Sequence, residues 1–97
     1  MAIETQYKQL LIEIIHKHIP NCRIWLFGSR ARKTHKEGAD IDLAVDAGRA
    51  LTLNEVSEVK EAIGESDIPL FVDLVDINNV SEDFLHNIKK EWVEWTR

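Results

Sequence analysis

Gly28-Ser29 is followed, after ten intervening residues, by Asp40-Ile41-Asp42, and in this stretch residue type and spacing together could do chemistry. Asp40 and Asp42 are two positions apart, so on a strand they leave the same face, roughly 6.5–7 Å apart along the backbone. Two carboxylates placed so repel each other unless a cation lies between them, and an all-oxygen donor set suits Mg²⁺ or Mn²⁺ rather than zinc. Taken alone, Asp-x-Asp reads more plainly as a solvated strand end. Gly28-Ser29, closing an apolar strand and opening a helix, would set unpaired backbone N–H groups beside a hydroxyl, which favours a bound phosphate. Gly28 permits close backbone approach, and Arg30 and Arg32 bring positive charge. An ordinary strand-to-helix turn also has these letters. Asp73 shifts the balance, because it stands among Phe71, Val72, Leu74 and Val75 where a purely structural strand would carry another aliphatic residue. Alternation places Asp73 with Phe71 and Val75, and Asp76 on the opposite face with Val72 and Leu74. If the two acidic strands are neighbours, about 4.8 Å apart, Asp40, Asp42 and Asp73 form a carboxylate cluster opposite the phosphate cradle, the layout of two-metal phosphoryl transfer.

Seven elements must position these residues. Tyr7, Leu10, Leu11, Ile14, Ile15 and His18 recur at helical spacing until Pro20-Asn21. Residues 23–27 (Arg-Ile-Trp-Leu-Phe) read as a buried strand, and Ser29 is placed to cap a short helix through Lys33. After a polar loop, Thr34 to Gly38, a second strand begins near Asp40 and runs over residues 41–45. Thr52 and Glu55 have capping-box spacing, Val56, Val59 and Ile63 form the apolar stripe of a helix, and Gly64 is its expected stop. Residues 70–77 follow Pro69 as a third strand, and Phe84, Leu85, Ile88, Trp92 and Trp95 mark the apolar face of a last helix. The order α-β-α-β-α-β-α predicts an α/β layer architecture on a small sheet.

With 97 residues, of which 44% are hydrophobic, the expectation is one domain spanning residues 1–97. One cysteine, Cys22, closes no intramolecular disulfide, which points to a reducing compartment and the cytoplasm. No apolar run approaches the roughly 18 residues of a membrane span, and Met1 to Lys8 lacks the order of a signal peptide. Twelve basic against 17 acidic residues give a net charge of −5, which disfavours nucleic acid as the main partner. The cluster Arg30, Arg32, Lys33 and Lys36 keeps a local anion site open.

Gly28-Ser29-x10-Asp40-x-Asp42, with Asp73 on a later strand, resembles the active-site signature of the polymerase β-like nucleotidyltransferase superfamily. Within it, the length and the phrase Leu26-Phe27-Gly28-Ser29-Arg30-Ala31-Arg32 are most similar to the minimal nucleotidyltransferases, the antitoxin halves of HEPN/MNT toxin–antitoxin pairs. The similarity runs from the first strand through the third. It implies a small nucleotidyltransferase fold, a three-stranded mixed sheet carrying the site on one face. Gly28, Ser29 and Arg30 would bind the nucleoside triphosphate, Asp40 and Asp42 two Mg²⁺ ions, and Asp73 one of those ions while activating the acceptor. The implied reaction moves AMP from ATP onto a hydroxyl, typically a tyrosine, of a partner HEPN toxin. Three alternatives stay open: an antitoxin that only masks its partner, a chain that binds nucleotide without turnover, and a transferase acting on nucleic acid.

Lys33 stands where this family often has glycine, and Ala39 where serine often precedes the first acid. If position 33 needs positive φ, lysine costs on the order of 1–2 kcal/mol there. His16, His18, His35 and His86 lack metal-ligand spacing, and His35 reads as a solvated loop residue. Trp92 and Trp95 read as core packing, with a partner surface as the alternative.

Overall fold

A computed structural model describes residues 2–96. The chain runs α1 (Ile3–Gln6), α2 (Lys8–His18), β1 (Arg23–Phe27), α3 (Gly28–Arg32), β2 (Ile41–Asp46), α4 (Leu53–Gly64), β3 (Val72–Asp76), a 3₁₀ turn (Ile77–Asn79), α5 (Glu82–Lys89) and β4 (Val93–Glu94). The sheet has four strands in the order β3-β2-β1-β4, with β2 and β3 parallel and the other neighbours antiparallel. A parallel pair needs a crossover, and α4 supplies it between β2 and β3. The α/β architecture is therefore as the sequence predicts, but the three-stranded sheet is not.

The fourth strand replaces the end of the expected last helix, because α5 stops at Lys89 and residues 93–94 pair with β1. Trp92 and Trp95 are three apart, which reads as one helical face; in extended chain they fall on opposite faces instead. Both faces at this edge are packed. Trp92 stacks on Trp25 with ring centroids 4.2 Å apart, while Trp95 packs against the core on the other side of the sheet.

That main core lies between the sheet and the helix pair α2 and α4. Ile24 and Leu26 of β1, Ile41, Leu43 and Val45 of β2 and Leu74 of β3 meet Leu11 and Ile15 of α2 and Val59 and Ile63 of α4. Each of these side chains, fully buried, contributes roughly 1.5–3 kcal/mol, so this face dominates folding. Cys22 is buried with them, and burial pushes its thiol up to about 11, leaving it unreactive. Thr52 and Glu55 form the capping box of α4, and Arg49 adds two hydrogen bonds to the Glu55 carboxylate at 2.9 and 2.7 Å. These partners hold Glu55 down to about 2. Ser81 caps α5, accepting from the Phe84 N–H at 3.1 Å.

The opposite face is covered only in part. Ile88 and Leu85 of α5, with Trp92, pack on Trp25, Phe27, Ala44 and Val75. By alternation Asp42 shares this face with Ala44, and Asp73 shares it with Val75. Among the described residues no helix is long and apolar enough to cross a membrane.

Candidate active site

The register aligns Phe27 with Asp42 and Asp42 with Asp73, so one row across the sheet carries the end of β1 and two of the predicted acids. The next row, Trp25, Ala44 and Val75, belongs to the core under α5. Polar chemistry therefore begins two residues along each strand from the apolar cover. Asp40 lies just before β2, and the backbone N–H of Ile41 donates to the Phe71 carbonyl at 2.9 Å, which starts the parallel pairing.

At the end of β1 the chain turns sharply into α3 through Gly28, at φ +75°. A Cβ there would stand 3.1 Å from Cγ of Asp42 and collide with its Oδ2. Positive φ and lack of space both demand glycine, so the predicted cradle and the central acid adjoin. Ser29 follows, half-buried, in the single turn of α3. Lys33 then closes the helix in the left-handed region, φ 61° and ψ 30°, with the Thr34 N–H donating to the Ser29 carbonyl at 2.9 Å. Position 33 does take positive φ, the conformation that favours glycine.

The Asp42 carboxyl is pushed above the ordinary carboxylate value, first by burial, then by the charges of Asp73 and Asp40, while Arg32 pulls it back. The three acids thus share one electrostatic space. Even so, no group of three or more His, Cys, Asp or Glu side chains among the described residues stands close enough to hold a metal ion. The two observations fit a site that a substrate must complete, since Mg²⁺ commonly takes one or two carboxylates and draws its remaining ligands from water and phosphate. Asp42 and Asp73, which face each other on adjacent strands, are the residues that could serve as its protein donors.

Arg30 does not take the place predicted for it beside the phosphates. Its side chain is turned inward, 4% exposed, where Nη1 donates to Glu4 at 3.0 Å and Nε and Nη2 donate to the Ala39 carbonyl at 3.0 and 2.8 Å. Glu4 is equally buried, at 5%. The physical reason is pairing: a buried guanidinium needs a carboxylate, and α1 delivers one. Arg30 therefore clamps the backbone immediately before Asp40. The cation that does act on Asp42 is Arg32, whose Nη1 donates to both oxygens of Glu91 at 2.8 and 2.7 Å.

Sequence reasoning missed Glu4 and Glu91, since neither belongs to a motif and both pair across a long stretch of chain. It also missed a cavity of about 590 Å³ beside Asp40 and Asp73, walled by the 65–71 segment and the end of α4. The exposed Phe71 was the available signal for this cavity.

Residues 9–93 match the family described as polymerase β, nucleotidyltransferase. A probable protein adenylyltransferase, MntA, of Haemophilus influenzae is 35% identical over 93 residues, covering 96% of this chain and 82% of that protein. Among solved structures, a chain of a toxin–antitoxin with AMP-PNP superposes with a TM-score of 0.79 at 27% identity, covering 91% of this chain and 71% of that one. A chain from the tri-AMPylated Shewanella oneidensis HEPN toxin in complex with MNT antitoxin gives a TM-score of 0.75 at 25% identity, covering 95% of this chain and 71% of that one.

Proposed function

The chain belongs to the polymerase β nucleotidyltransferase family, and we propose on that premise that it is a Mg²⁺-dependent protein adenylyltransferase. It moves AMP from ATP onto a hydroxyl of a partner HEPN-type toxin and so acts as the antitoxin of the pair. The observation that carries this reading is the row formed by the end of β1, Asp42 and Asp73, with Gly28 packed against Asp42. The names of its relatives, an adenylyltransferase and an AMPylated toxin bound to its antitoxin, support the choice of nucleotide and acceptor.

In this reading Gly28 and Ser29 hold the triphosphate, with backbone N–H groups and the Ser29 hydroxyl directed at its oxygens. Asp42 and Asp73 would hold the metal, with Asp40 adding its charge beside them, and a bound ion would supply charge neutralisation at the phosphates. Asp73 accepts the proton of the acceptor hydroxyl as its oxygen bonds to the α-phosphorus. The bond from that phosphorus to the β-phosphate oxygen breaks, and pyrophosphate leaves. The charge of Arg32 reaches Asp42, and its guanidinium can exchange Glu91 for a phosphate oxygen. The Arg30 side chain, held inward by Glu4, fixes the approach of the chain to Asp40.

Intact-mass spectrometry of a HEPN toxin incubated with this chain, Mg²⁺ and each nucleoside triphosphate in turn tests the reading. One or more AMP additions, with ATP only and lost in Asp42→Asn, are expected. A stable complex in which the toxin gains no mass would replace transfer by masking.

A further inference from the structure

We propose that Glu4 of α1 is a positioning residue of the active site: acting through Arg30, it sets Ser29 of the cradle against Asp40 where the sheet no longer aligns them; its effect on Mg²⁺–ATP rests on the transfer reaction above. The β1–β2 ladder ends with Phe27 opposite Asp42, so Ser29 and Asp40 both lie past the last pair. The loop that joins them is mostly exposed from Lys33 to Gly38, and its backbone hydrogen bonds, Thr34 to Ser29 and Ala39 to Lys36, each stay on one side. Nor does α3 hold itself, since five residues make little more than one turn.

Arg30 closes that gap. One residue after Ser29, its Nε and Nη2 donate at 3.0 and 2.8 Å to the carbonyl of Ala39, one residue before Asp40. Two nitrogens on one oxygen fix direction as well as distance, which the single point charge of a lysine does not. The Asp40 so placed adds its charge to Asp42.

Glu4 decides that Arg30 points this way. Its carboxylate accepts from Nη1 at 3.0 Å, and both side chains are almost wholly buried. Arg32, two positions along, is the internal control: its carboxylate partner, Glu91, is partly exposed, and Arg32 stays half in solvent. A pair whose only task was to attach α1 would be served as well by two apolar side chains, and would need no bond to Ala39. The ion pair adds a direction, and that direction ends at the site.

Thermal unfolding, amide exchange of the free protein and calorimetric titration with Mg²⁺–ATP are compared for the wild type, for Glu4→Met with Arg30→Met, and for Arg30→Lys. The Met pair fills the space without holding Ala39, whereas Arg30→Lys keeps a charge for Glu4 and loses the fork. The Met pair is expected to keep a Tm near that of the wild type. In both variants the Thr34, Ala39 and Ile41 amides should nevertheless exchange roughly tenfold faster, while those of Val59 and Ile63 do not change. Mg²⁺–ATP affinity should fall by about 10–100-fold in both. Unchanged exchange at the three amides, unchanged affinity, or a loss of affinity that only follows a loss of Tm would each overturn the proposal. A Met pair that does not fold hands the decision to Arg30→Lys. Faster exchange at these amides, in a protein whose wild type binds no Mg²⁺–ATP, would sink the transferase reading and leave the clamp standing.

Discussion

Asp42 lies half-buried between Gly28 and Asp73, and its charge opposes folding while serving the site. A carboxyl whose folded pKa exceeds its unfolded one contributes stability that is complete below the ordinary carboxylate value and lost as pH rises through the raised value. At neutral pH and without metal, Asp42→Asn should therefore stabilise the fold by about 0.5–1 kcal/mol, a figure kept small because the group is partly solvated. Added Mg²⁺ should then raise the Tm of the wild type and not of the variant. Equal stability of the two proteins across pH 4–8 in differential scanning calorimetry would remove the claim of charge strain. Lys33 is a second residue held against its preference, at φ 61°. Lys33→Gly should raise stability by about 0.5–1 kcal/mol in urea denaturation, the left-handed penalty being partly offset by the freer unfolded chain.

A helix of four residues such as α1 does not stand by itself, and its attachment is the ion pair of Glu4 with Arg30, 3.0 Å apart and almost wholly buried. Glu4→Gln leaves the Arg30 charge uncompensated and should cost about 3–5 kcal/mol, whereas Glu4→Met with Arg30→Met should recover most of that loss. A loss under about 1 kcal/mol for Glu4→Gln in urea denaturation would mean that Arg30 finds another partner or water. The larger elements were readable because their signals are local. The capping box at Thr52 and Glu55, the apolar stripe of α2 and the alternation in β1 each specify an element within one segment. The small ones were not. The element α1 depends on a partner 26 positions away, and β4 on a strand far back in the chain.

Across the whole molecule the two faces of the sheet are covered unequally. The helices α2 and α4 bury one face, while α5 and Trp92 cover only part of the other, and the acids emerge where that cover ends. The stack of Trp92 on Trp25, nearly parallel at 8°, closes this partial layer. Trp92→Ala should destabilise by about 2–4 kcal/mol in urea denaturation followed by tryptophan fluorescence. Full stability in that variant would move Trp92 from the core to an interface role.

The sequence alone determined the α/β architecture and the alternation that sets Asp73 and Val75 on one face of the third strand. It also determined the need for glycine at position 28, as far as close approach was concerned. Each of these follows from periodicity or backbone chemistry within a few residues. Only the tertiary structure decided that Asp42 meets Asp73 across a parallel pair, that Gly28 touches Asp42, and that Arg30 turns inward to Glu4 while Arg32 stays near the acids. Charge at one end of a chain does not specify its partner at the other. Two arginines two positions apart look alike in sequence, and burial separates them, because only one finds a carboxylate inside.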